Sequence, residues 1–522
     1  MKLHSWDIIT LLVYLGGMAA IGVYFSRKNT NTEEYFVGGR SFSGWVIGLS
    51  LVGTSISSIT FLAYPGDAFK TAWLRFLPNL MLPMSVVVAA YLFLPFFRRG
   101  KIISAYQYLE GRFGPSIRIY GSAVFIVGQL VRVSLILYLI SLVIHETSGL
   151  SPTMCILIGG MLVALYTIIG GIDAVIWTDV IQTIVLVLGG VVCLALIVHR
   201  LPGGFAQIFS VAAAEGKFAF AELVDGKLNP VSWDFSLLHK TGTMMLLFGL
   251  TIWLTEYSSN QNTIQRYCAA KSAGDARKAM FVCAFSSLPI WAFYMFLGTS
   301  LFVFFQVFPA VEVTEMLTGQ RKAEQILPFF IMNYLPPGFV GLVIAAALAA
   351  AMSSLDSSIN AISAVGTVDI YRRHFIKDRD DRHYLKVARG LACISAAFMI
   401  GGAVFLTNTE SKTLQDTATI LASLLGGGLL GMYLLGFLTD RGSARDVWIG
   451  IACTILFTSW TVLSGKQKLP QSLNVPFDLY YTGIIGNIVM FATGFLGGTI
   501  LPQKRRDLKN LTIWQQDKTT LS

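Results

Sequence analysis

The stretch "LAAAMSSLDSSINAIS", residues 348–363, continues an apolar run, "GFVGLVIAAA" (338–347). Together they make a segment long enough to cross a membrane. Yet Ser353, Ser354, Asp356, Ser357 and Ser358 stand almost side by side within it. A carboxylate at bilayer depth costs roughly 2.5–3.5 kcal/mol on insertion scales. On a helix, Ala350, Ser353, Ser354 and Ser357 fall at i, i+3, i+4 and i+7 and share a face. Asp356 and Asn360 lie just around from it. A lone serine in such a helix often back-bonds to its own backbone or packs at a close contact. A whole ladder of oxygens with an Asp inside it points instead to a bound cation.

The surrounding chain supports a membrane setting. Of 522 residues, 54% are hydrophobic and only 13% charged, with mean hydropathy +0.64. A soluble domain carries about a quarter charged residues. The alternating short segments of a transmembrane barrel are missing. The pattern predicts an all-α integral membrane protein with about thirteen spans. They fall near 6–25, 43–69, 75–97, 117–145, 153–171, 173–198, 241–268, 279–306, 336–369, 386–406, 416–438, 446–464 and 478–501. An odd count puts the termini on opposite sides. Most Lys and Arg, including Arg27, Arg40, Arg98, Arg112, Arg118 and Arg266, then share one side with the C-terminus. The positive-inside rule makes that side cytoplasmic and the N-terminus external.

The net charge of +10 does not indicate nucleic-acid binding, because the basic residues sit in short clusters between apolar runs. The six cysteines and six histidines are scattered without metal-ligand or redox spacing. The first apolar run lacks a small-residue cleavage site and reads as a retained span. The loop near 199–240 is the longest and reads as extracellular; the tail after 503 reads as polar and flexible. No Walker motif or soluble domain appears, so ATP-driven transport by this chain alone is not expected.

Two further spans carry unusual polarity. The second, "GLSLVGTSISSITFLAYPGDAF" (48–69), holds Gly53, Thr54, Ser55, Ser57, Ser58 and Thr60 at its middle. Glycines and hydroxyls make such a segment easy to unwind, and unwound backbone offers carbonyls to a hard cation. The seventh contains "TEYSSNQNTIQRY" (255–267). Interruptions five spans apart suit two inverted five-helix repeats. Two or three hydroxyls with two carbonyls make a cage for a small monovalent cation, too poor in charge and oxygens for calcium. Asp179, in "GGIDAVIWTDVIQ" (170–182), adds a second carboxylate, and two buried carboxylates require cations or protons. Arg132 lies mid-span and has two readings: an internal partner of Asp356, Asp179 or Glu256, or a clamp for a substrate carboxylate. Arg75 and Asn79 lie near the outer end of the third span, where Arg75 can snorkel.

At these residues the sequence resembles the sodium:solute symporter family along essentially its whole length. The resemblance rests on "YFVGGR" (35–40), "SLVGTSISSITF" (50–61), "YTIIGGIDAVIWTDVIQ" (166–182), "QRY" (265–267) and "AAAMSSLDSSINAIS" (349–363). It implies a LeuT-type five-plus-five inverted-repeat fold. The parts would be an extra span and loop (1–40), first repeat (41–200), loop (201–240), second repeat (241–440), two further spans (441–503) and a cytoplasmic tail (504–522). It implies a first sodium site from the carbonyls of Gly53, Ile56 and Ala350 with the hydroxyls of Ser353 and Ser354. It implies a second from Asp179, Asp356 and Ser357, although the two-sodium sialic acid symporters have Ser where this chain has Asp356. The solute cavity would be lined by Ser57, Thr60, Arg75, Asn79, Arg132 and Gln261. Within the family the sequence looks most like bacterial sialic acid symporters, which have Arg at the Arg132 position facing the substrate carboxylate and Gln at the Asn79 position. Sodium–galactose symporters have Glu there.

The expected function is sodium-coupled import of a small organic solute, a sugar or an acidic sugar such as sialic acid, by a multi-pass cell-membrane protein. Its partners would be sodium, the solute and the bilayer, with no nucleic acid, and it would act as a monomer. Alternatives are a sodium symporter for a monocarboxylate or amino acid, a cation channel, or a transporter-derived sensor. A channel needs a continuous polar path, whereas polarity here is confined to mid-membrane. No paired acid–base or metal constellation suggests an enzyme.

Overall fold

The computed structural model describes residues 3–27, 29–98, 102–407, 427–501 and 507–515. Helix α1 (Ser5–Ser26) is followed by α2 (Gly44–Ser55) and α3 (Ser58–Lys70), which form one span bent by 57°. Ile56 and Ser57 between them are extended. Next come the composite helix α4 (Trp73–Arg98), α5 (Pro115–Ser148) and α6 (Pro152–Arg200). The 49 residues of α6 would reach about 73 Å at 1.5 Å per residue. That is more than twice the ~30 Å hydrocarbon core. Gly171, at φ 57° and ψ −157°, divides the helix where two spans were expected. Only glycine takes that conformation without strain.

The second half opens with α7 (Gly242–Ser259) and α8 (Gln261–Ala269), separated by extended Asn260, whose side-chain oxygen caps α8 by accepting from the Asn262 N–H. Then follow α9 (Ala273–Val307), α10 (Phe339–Val365), α11 (Asp381–Thr407), α12 (Leu429–Leu438), α13 (Ala444–Gly465) and α14 (Tyr481–Ile500). Both expected interruptions are therefore present, in the second and seventh spans.

One expectation changes, and two gain detail. Among the described residues nine helices are long and apolar enough to cross a membrane, ten with the bent pair, so these residues alone do not yield thirteen. Residues 416–426 of the expected span 416–438 lie outside them. Within this all-α architecture, Ala221–Val224 (β1) and Lys227–Pro230 (β2) form a small antiparallel hairpin. Its turn uses Asp225 and Gly226, both at positive φ, the mirror-image turn that matches strand twist. Finally, the described part of the tail is docked. Tyr108 donates to the Leu511 carbonyl, Thr512 to Asp440 and the Trp514 indole to the Leu438 carbonyl.

Helix α10 is buried almost all round, packed against α6, α5 and α1. Its start is fixed by a distant cap. Asp7 of α1, buried, accepts from the backbone N–H of Gly338 (2.7 Å) and Gly341 (2.8 Å). These donors lack partners within the helix, and a carboxylate there also suits the helix dipole. At the other end, Arg118 of α5 binds Asp369, just beyond α10, and Glu110, which also holds Arg373. Burial alone would raise Glu110, but hydrogen bonds from Arg373 and Arg118 hold it below the usual carboxylate range.

The hairpin loop reaches back to the bent span through Lys217. This buried ammonium donates to the carbonyls of Phe69 (2.6 Å) and Thr71 (2.9 Å), capping α3, and lies 3.9 Å from the Phe302 ring centroid. Burial pushes its pKa down to about 7, although Glu215 acts the other way. An unfolded lysine keeps its proton to about pH 10.4. Between those values the unfolded chain binds the extra proton, so Lys217 makes stability rise with pH. Thermal unfolding in detergent at pH 7 and pH 9.5 should show a larger alkaline gain for wild type than for Lys217→Met. Parallel behaviour of the two proteins would refute the assignment.

Candidate cation and solute site

The bend between α2 and α3 faces the oxygen ladder of α10. The Ser353 hydroxyl donates to the Gly53 carbonyl at 2.9 Å and lies 3.4 Å from the Ala350 carbonyl. Three of the five expected first-site residues thus meet directly. Ile56 ends α2 in an extended conformation, so the carbonyls around it leave the helical pattern. Ser354 is buried, and its hydroxyl oxygen has no hydrogen-bond partner among the described residues. Such a group costs ~1–3 kcal/mol unless something answers it. Gly53 is needed here for space: a Cβ would lie 2.8 Å from the Thr183 hydroxyl and 3.1 Å from the Asp179 carbonyl.

The second expected set also holds Arg266, which the sequence reading counted among the cytoplasmic-side charges. Asp179, fully buried, accepts from Ser50 (2.6 Å) and from the guanidinium of Arg266 (2.7 Å). Arg266 is 1% exposed; it also donates to the Ser50 hydroxyl (2.8 Å), the Asn262 carbonyl (2.9 Å) and the Ser357 hydroxyl (2.5 Å). Asp356 accepts from the Tyr166 hydroxyl (2.7 Å) and the Ser357 N–H (2.5 Å), with Thr178 at 3.4 Å. Ser357 donates to the Ser353 carbonyl at 2.5 Å, joining both sets. The available signal for Arg266 was its place four residues after Asn262 in a run of polar residues, one helical turn.

Of the six expected lining residues, Arg75 and Asn79 share a cavity. Ser57 caps α3 at the bend, and Thr60 is buried one turn later. Arg75 and Asn79 line an outer cavity of about 520 Å³ with Tyr64, Asp67, Glu222 and Lys240. There Arg75 pairs with Asp67, and the Asn79 amide donates to the Tyr64 hydroxyl at 2.6 Å. Arg75 is therefore paired and does not simply snorkel. Gln261 lines neither this cavity nor the neighbouring one of about 610 Å³ that holds Gln129, Thr255 and Glu256. Its amide accepts from the Ala105 N–H (2.8 Å) and donates to the Ile103 carbonyl (2.7 Å), so its polar atoms are spent on an inter-helix loop.

Arg132 is half-buried in the middle of α5 and makes no hydrogen bond or ion pair among the described residues. The three acids considered as its partners are engaged elsewhere. Asp179 and Asp356 are held as above, and Glu256 accepts from Asn260 (2.7 Å) and Thr263 (2.5 Å). The internal-partner reading of Arg132 is thus not observed.

A buried helical core, two broken spans at corresponding positions and an oxygen ladder against one break define a cation-coupled secondary transporter. Residues 35–451 match the model of the sodium:solute symporter family. The chain is 31% identical, over 97% of its length and 98% of the relative's, to the sodium/sialic acid symporter SiaT of Proteus mirabilis. It is 29% identical, over 94% and 92%, to the sodium/sialic acid symporter NanT of Aliivibrio fischeri. A solved structure of a Na⁺-coupled sialic acid symporter, substrate-bound and outward-open, superposes with a TM-score of 0.85 at 29% identity, covering 96% and 99% of the two chains. This chain belongs to the sodium:solute symporter family. It is a multi-pass membrane transporter of LeuT-type fold that couples a small solute to sodium, not an enzyme.

Proposed function

We propose that this protein imports a sialic acid or a closely similar carboxylated sugar across the cell membrane. Sodium sits at the carbonyls of Gly53, Ile56 and Ala350 and the hydroxyls of Ser353 and Ser354. It holds the bend of α2–α3 against α10 and so preorganises the solute cavity. The chain crosses thirteen times, with its N-terminus outside and C-terminus inside, and works as a monomer in the bilayer. Inward movement of each sodium charge through 100 mV contributes about 2.3 kcal/mol to accumulation.

The likeness to SiaT along nearly the whole chain carries this reading. The unpartnered guanidinium of Arg132 supports it, because a guanidinium at bilayer depth calls for an anion. A carboxylate accepts two parallel hydrogen bonds from the arginine fork, and lysine cannot reproduce that. In Arg132→Lys, calorimetric affinity for N-acetylneuraminate should fall by roughly ten- to a hundredfold, the ~1.5–3 kcal/mol of a charged hydrogen bond. Matched neutral sugars and pyruvate serve as competitors. Tight binding of a neutral sugar that ignores the substitution rejects the carboxylate clamp. Selective binding of pyruvate makes the solute a monocarboxylate.

A further inference from the structure

The second expected cation position is crossed by a side chain of the protein itself. A small cation recruited there would draw on the Asp179 carboxylate and the Ser357 hydroxyl. One nitrogen of Arg266 already contacts both, at 2.7 Å and 2.5 Å. Ser50 on α2 and the Asn262 carbonyl on α8 hold the rest of the guanidinium, and the whole side chain is 1% exposed. We propose that Arg266 is a tethered cation standing in place of a second sodium, so that this transporter binds and carries one sodium ion per solute. The inference rests on the proposed first sodium site.

Charge counting supports it. Asp356 accepts from the Tyr166 hydroxyl and the Ser357 N–H, while the Thr178 and Ser357 hydroxyls give their protons to backbone carbonyls. With both carboxylates ionised, Asp179 and Asp356 supply two negative charges, Arg266 one positive charge, and a sodium at Ser353 the other. Ser357 links that sodium site to the pair by donating to the Ser353 carbonyl. One sodium therefore brings the buried cluster to neutrality, whereas two would leave an uncompensated positive charge, which is costly in such surroundings. The free oxygen of Asp179, Oδ1, is a single buried acceptor, too few for a further ion once Ser357 is engaged.

Equilibrium binding of ²²Na⁺ to the purified full chain, at saturating sodium and without solute, tests this independently of the solute's identity. Wild type and Arg266→Lys should each bind one ion. Arg266→Gln, which vacates the position, should bind two. Should that variant not fold, Asp179→Asn/Arg266→Gln removes the pair together and should bind one. Two ions in wild type, in Arg266→Lys or in the double variant would overturn the proposal, as would a folded Arg266→Gln that binds only one. The Ser353→Ala/Ser354→Ala protein should bind none. An ion retained there rejects the first site, a failure distinct from a wild-type count of two.

Discussion

The Ser353→Ala/Ser354→Ala protein is expected to fold and to lose sodium-driven uptake. The two hydroxyls have opposite balances in the sodium-free protein. Ser353 donates one hydrogen bond to Gly53, worth about 0.5–1.5 kcal/mol. Ser354 is buried without a partner, so its removal relieves a desolvation cost of similar size. Sodium-free stability should therefore change little. Sodium binding loses two ligands, each worth ~1.5–3 kcal/mol on the scale of contacts to charged groups. Together that is roughly a hundred- to ten-thousandfold in sodium affinity. Uptake under a sodium gradient and thermal unfolding in choline, measured on the same preparation, separate the two effects. A double variant with wild-type sodium dependence would mean that the cation sits elsewhere.

The second large effect is steric. Gly298 in α9 lies against the backbone of Pro65, in the outer half of the bent span; a Cβ there would stand 2.2 Å from the Pro65 carbonyl oxygen. Gly249 in α7 faces Pro78 in the same way, at 2.1 Å. Backbone cannot rotate aside as a side chain can, so α3 or α4 must move bodily. Overpacking of this kind costs about 1–3 kcal/mol, and more against backbone. Gly298→Ala and Gly249→Ala should lower the thermal transition by several degrees and reduce the yield of monodisperse protein. Gly16→Ala, with nothing within 4 Å, is the control. Transitions indistinguishable from that control would show that these contacts are looser than described.

What sequence could reveal here was whatever violates the composition of a membrane helix. Gly53 and the hydroxyls around it, the serine ladder of α10 and the polar run at Asn260 are anomalies within their own segments. They can be located without knowing their neighbours, as can the break at Gly171. Pairings between segments were not legible. Arg266, Arg112 and Arg118 count as cytoplasmic-side charges in the sequence, yet all three are buried. Arg112 spends its guanidinium on carbonyls near the end of α12, and Arg118 on Asp369. A charge count weighs them the same whether they face water or not. Gln261 carried the right chemistry for a solute cavity, but its amide is used by residues more than 150 positions away. Arg132 was undecided because its being unpaired is a fact about three acids on other helices.

The cap that Asp7 places on α10 also bears on biosynthesis. Its first partner at the start of α10 lies 331 residues downstream. At ~5–20 residues per second, roughly 15–65 s of translation separate the carboxylate from the amides it will bind. Helix α1 must wait in the lipid with that acid answered only by water, headgroups and its own first turn. The start of the ladder helix, for its part, emerges to a partner already installed. Assembly of the cation site is thereby ordered in time: the earlier span is the one that receives and seats the late one.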